Sequence, residues 1–310
     1  MSAGETPSPS SPAGASLATK VRENAKLFGE YRRGDRARSY LDSVFAELDE
    51  YPALAAAHGA VPLTEARILE IGFGARPYRL MGLLRQGLDA TGVDMEVPVL
   101  DGSAAELRRI LATNGAERAA KSAVRHLLFD RRQRQDFDQR TRARGWNHPV
   151  DRSRFVVDDA ANLRLGEHSL DLVVSEDVFE HIEVGALRRL VTHMRGWLAP
   201  EGIAFVRPNV FTGITGGHLI EWDDPSPGQR HSEPWEHLRQ QRFRPNSYLN
   251  QLRLDDYREL FAEHFVILDE RVKRPDLGRD HLSANIRAEL ADYADEELFS
   301  NQVLFVLRPR

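Results

Sequence analysis

Two glycines separated by a single residue, Gly72 and Gly74, follow an apolar run that contains Glu70. The run 68–71 has the composition of a buried parallel strand, and Gly-x-Gly directly after it predicts a tight loop. Glycine has no Cβ, so the backbone of this loop can adopt positive φ and a ligand can lie against it. Pro77 suits the first turn of a following helix, whose free N–H groups favour a carboxylate or phosphate. These residues therefore predict a site for a nucleotide-type cofactor.

The exact form of the glycine pattern separates the classes of cofactor. The nicotinamide fingerprint needs a third glycine three residues after the second, but Pro77 stands there, which disfavours a nicotinamide oxidoreductase. An acidic residue two places before the first glycine is also unusual in that fingerprint. The segment 66–77 resembles instead the first motif of the Rossmann-like methyltransferases that depend on S-adenosylmethionine (SAM), an apolar run followed by Glu/Asp-x-Gly-x-Gly. The family often has a third glycine where this chain has Arg76.

Two further segments resemble the same family in its own order. Residues 88–94 predict a second strand that ends in Asp94, about twenty residues beyond the glycines, where a carboxylate offers two acceptors to two ribose hydroxyls. Residues 155–163 predict a third strand that runs into an Asp-Ala pair. In the family the matching aspartate accepts a hydrogen bond from the adenine amino group. That alignment assigns the contact to Asp159 and makes Asp158 a neighbour.

The segment 169–182 carries the most detailed resemblance. Its sequence, Ser-Leu-Asp-Leu-Val-Val-Ser-Glu-Asp-Val-Phe-Glu-His-Ile, is similar to the family's Ser-Phe-Asp-x-Val-x-Ser-x-x-Val-Leu-Glu-His-Ile. A helix from position 187, a Pro-x-Gly turn and a fifth strand at 203–207 follow it. The resemblance implies that SAM is the cofactor and that these residues contact it: Glu70, Gly72, Gly74, Asp94, Met95, Asp159, Ala160, Ser175 and Glu176.

The elements that must position these residues alternate between strands and helices. The resemblance implies an α/β fold with a Rossmann-like seven-stranded sheet, mostly parallel with an antiparallel last strand, and helices on both faces. Apolar runs at 265–270 and 301–307 predict the last two strands, with a helix at 282–293 between them.

Changes in composition predict the division of the chain. Residues 1–18 are mostly Ser, Pro, Gly and Ala and predict a disordered tail. Apolar residues at helical spacing predict a lid or a packing cap at 19–60. Residues 61–310 form the predicted methyltransferase domain, with a helical insertion at about 97–153 and a substrate loop at about 208–245.

The insertion contains an arginine-rich run at 130–144. One interpretation is a basic face for a phosphorylated or acidic substrate. The other is a solvated helix face, because interspersed aspartates allow i,i+4 ion pairs, and the charge pattern favours this second interpretation.

Histidines near the carboxyl edge of the sheet are the candidate catalytic residues. Methyl transfer is an in-line displacement from a sulfonium, so catalysis depends mainly on positioning and desolvation. A hydroxyl acceptor also needs a base, and histidine has a suitable pKa. His218, behind a Gly-Gly pair, is the first candidate and His181 the second. Either ring could instead fix a loop by bonding to a backbone carbonyl.

The acceptor is predicted from the loop around His218. Its aromatic residues Phe211, Trp222 and Trp235 would stack on a ring, which favours a hydroxyl of a sugar, glycan or natural product. Methylation of RNA or protein is the alternative. A SAM-binding partner subunit without catalysis is a further one, and the intact acidic positions argue against it.

The same loop contains residues that could bind a metal ion. His218, Glu221, Asp223, Asp224 and His231 offer groups that bind divalent ions, and some sugar and catechol methyltransferases use magnesium. Magnesium would take the two adjacent aspartates with water. No defined ligand spacing singles these residues out, so the sequence predicts no metal.

Bulk properties exclude other classes of protein. The chain has 310 residues, enough for a sizeable core, and no cysteine, which excludes disulfides and thiolate metal sites. No apolar run is long enough for a membrane span, and no secretory signal is visible, so a cytoplasmic location is expected. The net charge of −5 does not favour a nucleic-acid partner. A small-molecule substrate is expected, and the oligomeric state is not predicted.

Overall fold

A computed structural model of the chain describes residues 35–126, 130–219, 222, 232–239 and 248–310. The tail expected at 1–18 and much of the expected substrate loop beyond position 219 lie outside the described residues.

The strands are β1 (Arg67–Ile71), β2 (Asp89–Asp94), β3 (Phe155–Val157), β4 (Leu170–Glu176), β5 (Leu198–Arg207), β6 (Phe265–Val272) and β7 (Val303–Pro309). The helices are α1 (Asp35–Ala57), α2 (Tyr78–Arg85), α3 (Ala104–Arg125), α4 (Arg131–Ala143), α5 (Val184–Trp197), α6 (Glu236–Arg239), α7 (Leu254–Ala262), α8 (Ala284–Glu289) and α9 (Asp295–Leu298).

In the described part of the chain, the strands form one seven-stranded sheet in the order β3-β2-β1-β4-β5-β7-β6. Strands β1 to β5 pair in parallel, and β7 is antiparallel to both of its neighbours. The Rossmann-like sheet expected from the sequence is confirmed. Strand order reverses at the β1–β4 pair, and α/β sheets bind ligands at the carboxyl ends of strands beside such a reversal.

Two elements differ in extent from the sequence expectation. Strand β5 begins at Leu198 instead of position 203, because Leu198 pairs with Leu170 ahead of a bulge. Helix α3 is interrupted at Gly115, whose φ of 85° and ψ of 171° are not helical, so the insertion has two helical segments at this place. The expected helix at 282–293 is limited to α8, because its chain leaves helical geometry at Leu290.

Helix α1 is part of the hydrophobic core. The face predicted from the sequence, which includes Leu41, Val44 and Phe45, is buried against side chains of the sheet. Leu48 on this face packs where a Cβ on Gly82 of α2 would lie, 2.3 Å from that position. The glycine therefore lets the two helices approach closely.

A buried ion network ties α1 to α2 and to β1. Arg79 of α2 donates to Glu47 of α1 (Nη2 to Oε2, 2.6 Å) and to Glu70 of β1 (Nη1 to Oε1, 3.1 Å). The Nζ of Lys273 lies 3.1 Å from the other oxygen of Glu47. Glu47 and Glu70 are both buried, with exposures of 4% and 0%, so the charge on each depends on its neighbours.

The carboxylates of this network titrate differently. Burial opposes ionisation of Glu47, but Arg79, Lys273 and Arg207 outweigh it and lower its pKa to about 2. Glu70 is fully buried and shares only one contact with Arg79, and burial raises its pKa to about 7. The guanidinium therefore stabilises the charge of Glu47 more than that of Glu70.

Among the described residues, no helix combines the length and apolar character needed to cross a membrane.

Replacing Leu48 tests whether α1 belongs to the cooperative core. The side chain is 1% exposed, so Leu48→Ala should lower the free energy of unfolding by about 2–5 kcal/mol, from lost burial and a residual cavity. Urea unfolding followed by circular dichroism measures this. Leu111→Ala, at a half-exposed helical leucine, is the matched control and should change stability by less than about 0.5 kcal/mol. Equal effects of the two changes would contradict the assignment.

Replacing Glu70 tests the raised pKa. Because the folded pKa of about 7 exceeds the ordinary value of 4.5, the stability that this group contributes is complete below pH 4.5 and is lost as pH rises through 7. Relative to Glu70→Gln, the wild type should therefore lose up to about 3 kcal/mol of unfolding free energy between pH 5 and pH 8. The exposed Glu65→Gln should run parallel to the wild type. A constant difference between wild type and Glu70→Gln would refute the raised pKa.

Candidate functional site

The glycine loop after β1 leaves part of its own backbone accessible to a ligand. Gly72 and Gly74 have φ of 83° and 64°, in the left-handed region that glycine tolerates. A Cβ on Gly72 would lie 2.2 Å from Val178, so this glycine is needed for contact with the turn after β4. No described atom lies within 4 Å of a Cβ position on Gly74. The loop is therefore closed behind Gly72 and open at Gly74, where a ligand can approach the backbone.

Asp94 fixes this loop to the end of β2. Its Oδ2 accepts a hydrogen bond from the N–H of Gly74 and its Oδ1 from the N–H of Glu96, both at 2.7 Å. Each carboxylate oxygen has further acceptor capacity, so the group can still bind two hydroxyls. Burial raises its pKa. The next residue, Met95, is 67% exposed and directly follows the carboxylate that makes these hydrogen bonds.

Asp159 lies on the neighbouring strand end. The N–H of Asp158 donates to the carbonyl of Asp94 at 3.0 Å, which brings the ends of β2 and β3 together. Asp159 then caps the turn Ala160–Asn162, its Oδ1 accepting from the N–H of Ala161 at 2.9 Å. The structure therefore brings Asp94, Asp159 and Ala160 to one edge of the sheet.

The remaining cofactor candidates are buried and mostly engaged with protein groups. Ser175 donates to the carbonyl of Ile71 at 3.0 Å. Glu176 accepts from Tyr51 at 3.0 Å and from Arg207 at 3.1 Å, and burial raises its pKa to about 7. These contacts suit walls of the site better than direct ligands.

Glu70 differs from its neighbours in one atom. Its Oε1 is bound by Arg79, but its buried Oε2 has no hydrogen-bond partner among the described residues. A buried acceptor without a donor costs free energy, and a donor on the cofactor would satisfy it. This orphaned oxygen, the open backbone at Gly74 and the spare acceptors of Asp94 fit a ligand with an amine, a chain and a ribose.

Arg76, at the place of the family's third glycine, is held inside the protein. Its guanidinium lies 5.0 Å from the ring centroid of Tyr40 and donates to Gln133 at 3.0 Å. Tyr40 in turn donates to the Arg76 carbonyl at 3.1 Å. The residue thus joins the glycine loop to α1 and α4.

The two histidine candidates meet at the same edge. His181 follows β4 and His218 follows β5, and these neighbouring strands are parallel, so their carboxyl ends coincide. The rings lie edge to face with centroids 4.6 Å apart. The Nδ1 of His181 donates to the carbonyl of Tyr248 at 3.0 Å, since a carbonyl only accepts. Burial, and secondarily the ring of His181, lowers the pKa of His218 to about 4.

Glu180 is a member of this group that sequence reasoning missed. It is 3% exposed, and neither carboxylate oxygen has a hydrogen-bond partner among the described residues. Burial and the Asp177 carboxylate raise its pKa well above the ordinary value, against a lowering by nearby backbone N–H groups. The ligand atoms of Glu180, His181 and His218 all lie within 4.8 Å of one another. The Glu-His pair was visible in the sequence, but no spacing linked it to His218.

Asn250, which no sequence pattern indicated, holds the turn that carries this group. Its N–H donates to the carbonyl of Glu180 at 2.8 Å, and its side-chain amide donates to the carbonyl of Phe179 at 2.7 Å. The segment after α6 therefore positions the turn after β4.

The aromatic residues expected to stack on a substrate ring are placed differently, which corrects that expectation. Trp235 is 0% exposed and Trp222 is also buried, both in a hydrophobic cluster with Ile214 and Phe299. Large aromatic side chains bury much apolar area, and this cluster provides the place for it. Phe211 is half-buried and packs against His237. Four candidate metal ligands of the loop lie outside the described residues: Glu221, Asp223, Asp224 and His231.

The arginine-rich helix α4 packs on α1 and does not stand free in solvent. Arg144 pairs with Asp49 at 3.2 Å, and Arg140 pairs with Asp42. Buried Phe137 anchors the same helix and stacks on Phe45 of α1. Part of the basic charge is thus neutralised inside the molecule.

In comparisons with known proteins, residues 116–206 match the family model described as a methyltransferase domain. The match runs from within α3 to strand β5. No curated protein matches the chain.

The chain is also similar to solved structures. One is the PH0226 protein from Pyrococcus horikoshii OT3, with 16% identity, coverage of 89% of this chain and 92% of that chain, and a TM-score of 0.46. Another is the Burkholderia thailandensis 1,6-didemethyltoxoflavin-N1-methyltransferase with bound 1,6-didemethyltoxoflavin and S-adenosylhomocysteine, with 16% identity, 97% and 93% coverage, and a TM-score of 0.43. A third is a putative methyltransferase in complex with the Haloferax volcanii Trm112 methyltransferase activator, with 15% identity, 91% and 96% coverage, and a TM-score of 0.44.

The family match covers β3, β4 and nearly all of β5, and it leaves out the glycine loop after β1 and Asp94 at the end of β2. A segment of this chain is therefore similar to a methyltransferase domain, and it lies within a sheet of the Rossmann-like order described above.

Proposed function

We propose that this protein is a SAM-dependent methyltransferase that acts on a hydroxyl of a small molecule, with sugars, glycans and natural products as the substrate class. The observation that carries the proposal is the pair formed by His181 and His218, with ring centroids 4.6 Å apart at the carboxyl edge of the sheet. Methylation of a hydroxyl requires that the hydroxyl lose its proton to a base. A neutral amine can accept the methyl group first and lose its proton afterwards. Two imidazoles at the acceptor side serve that requirement.

The cofactor contacts are proposed from the geometry of the loops. Asp94 would hold the ribose hydroxyls, the open backbone at Gly74 and the free oxygen of Glu70 would hold the methionine end, and Asp159 with Ala160 would border the adenine. When bound, SAM supplies an electrophilic methyl group on a sulfonium.

The chain's own residues then position the acceptor and move its proton. The acceptor oxygen forms a bond to the methyl carbon as the carbon–sulfur bond breaks, and the hydroxyl proton passes to an imidazole nitrogen. Burial keeps His218 neutral at physiological pH, because its pKa is about 4. A neutral ring has the lone pair that accepting a proton requires.

The alternatives have less support. An RNA or acidic protein substrate would need a free basic face, but Arg140 and Arg144 are paired with aspartates of α1. A partner subunit without catalysis would not need the hydrogen bond from the N–H of Gly74 to Asp94, which is present here.

The division of the chain is proposed on the same grounds. Residues 61–310 form the catalytic domain, and α1 serves as its cap. The buried face of α1 and its contact with Arg79 support a cap that stays packed during turnover.

Calorimetry with S-adenosylhomocysteine tests the cofactor site. The wild type should bind it at micromolar concentration, and Asp94→Ala should weaken binding at least about tenfold, because charged hydrogen bonds to the ribose are lost. Glu65→Ala removes an exposed carboxylate ahead of β1 and should leave affinity unchanged. NADH is the negative control. Binding of NADH, or equal loss in both variants, would contradict the assigned site.

An acceptor screen tests the hydroxyl. With methyl-labelled SAM and a panel of sugars and phenolic natural products, the product should be a methyl ether, identified by mass spectrometry and NMR. His181→Ala and His218→Ala should each lower kcat by about 10²–10⁴ while S-adenosylhomocysteine affinity stays intact. The exposed His148→Ala should keep full activity. A product methylated on nitrogen, or turnover that survives both changes, would overturn the proposal.

A further inference from the structure

We infer that Glu180, His181 and His218 bind a divalent first-row transition-metal cation at the carboxyl edge of β4 and β5. The binding is inferred from geometry alone, and only the role of the cation rests on the proposed function. The sequence predicts no metal. Of the substrate-loop residues that offer groups for a divalent ion, only His218 belongs to this site.

The three side chains already lie close to coordination distance. One carboxylate oxygen and two imidazole nitrogens are within 4.8 Å of one another. Three ligands about 2.1 Å from one ion lie about 3.0–3.6 Å from one another, so the group has to contract by up to about 1–2 Å to hold an ion. Small rotamer adjustments of His181 and His218, both half-buried, supply such a movement.

Glu180 supplies an independent reason for a cation. Its carboxylate is buried at 3% exposure, and both oxygens lack a hydrogen-bond partner among the described residues. A buried carboxylate without a counter-charge is costly, and a bound cation removes that cost. Asp177, three residues earlier, adds further negative charge close by. The surroundings of Glu180 therefore favour a positive ion.

The second contact of His181 has the form that metal ligands use. Its Nδ1–H donates to the carbonyl of Tyr248, so the Nε2 of the neutral ring carries a lone pair. Metal-binding histidines commonly donate their other ring N–H to a carbonyl or carboxylate, which orients the ring. Asn250 fixes the turn beneath, so this ligand is held before an ion arrives.

His218 is held by a strained and crowded loop. Its φ of 62° lies in the left-handed region, which is strained for a residue with a side chain. A Cβ on Gly216 would lie 2.1 Å from the carbonyl of Phe211, and one on Gly217 would lie 2.6 Å from His237. The two glycines permit the close packing that brings the His218 ring to Glu180.

The ligand types select the ion. Two imidazoles and one carboxylate suit Mn²⁺, Fe²⁺, Co²⁺ or Zn²⁺ better than Mg²⁺, which prefers oxygen and water. Three protein ligands leave further positions for water or an acceptor oxygen. A cation there polarises a hydroxyl placed against it and lowers its pKa, so that the proton is released to water at neutral pH. The imidazoles would then assist deprotonation through the ion and not by accepting the proton themselves.

Metal titration of the full chain tests the site. After treatment with EDTA and dialysis, calorimetry with MnCl₂ and the visible spectrum with CoCl₂ should both show one site per chain. Glu180→Gln and His218→Ala should each weaken binding at least tenfold, whereas the exposed His148→Ala should bind as the wild type does.

Thermal unfolding distinguishes a variant that has lost metal binding from one that has failed to fold. Without metal, Glu180→Gln should melt at a higher temperature than the wild type, because the unpaired buried carboxylate is gone. With Co²⁺ or Mn²⁺, only the wild type and His148→Ala should gain stability. A stable Glu180→Gln that still binds with wild-type affinity would overturn the inference, and so would a wild type without saturable binding.

S-adenosylhomocysteine binding in the same samples separates the two proposals. Affinity for S-adenosylhomocysteine without metal uptake removes the cation site and leaves the methyltransferase proposal. Metal uptake that depends on Glu180 and His218, with methylation unaffected by EDTA, supports the site and removes its role at the acceptor hydroxyl.

Discussion

The buried guanidinium of Arg79 is the interaction on which the arrangement of the site depends. It meets a carboxylate of α1 on one side and Glu70 of β1 on the other, directly beneath the glycine loop. A buried cation with two carboxylates is tolerated only when each charge has its partner, so removing any member leaves the others uncompensated. Helix α1 is therefore held by electrostatics as well as by apolar packing, and the carboxyl edge of β1 is shaped by residues far apart in the chain.

The same cations give the carboxylates of the region different pKa values. Glu47, with three cations around it, stays ionised to low pH, whereas Glu70 and Glu176 have pKa values of about 7. Asp94 differs again, since two backbone N–H groups contact it and its remaining acceptors face the ligand side. Acidic residues that look equivalent in the sequence thus divide into a structural anion, two groups that titrate near neutrality and one ligand-facing carboxylate.

Local patterns predicted the sheet, the glycine loop and the strand-end aspartates, because each depends on neighbours within a few residues. Pairings between distant segments were not predictable in this way: Tyr51 meets Glu176 across 125 positions, and Asn250 reaches the turn at Phe179 across 71. Trp235 was expected at a substrate wall and is core, since composition does not tell which side of a loop faces inward. His218 was identified by residue type, but its partnership with Glu180 needed the fold.

The contact between Gly72 and Val178 has a thermodynamic consequence. No side chain fits between them, so the cofactor loop and the turn that leads to Glu180 and His181 touch directly. A ligand that shifted this loop would press on Val178, and through it on the turn that leads to Glu180. The binding of a cofactor at the glycine loop and the binding of an acceptor at His181 would then be energetically coupled. Linkage requires the coupling to be reciprocal, so whatever factor the cofactor applies to acceptor affinity, the acceptor applies to cofactor affinity.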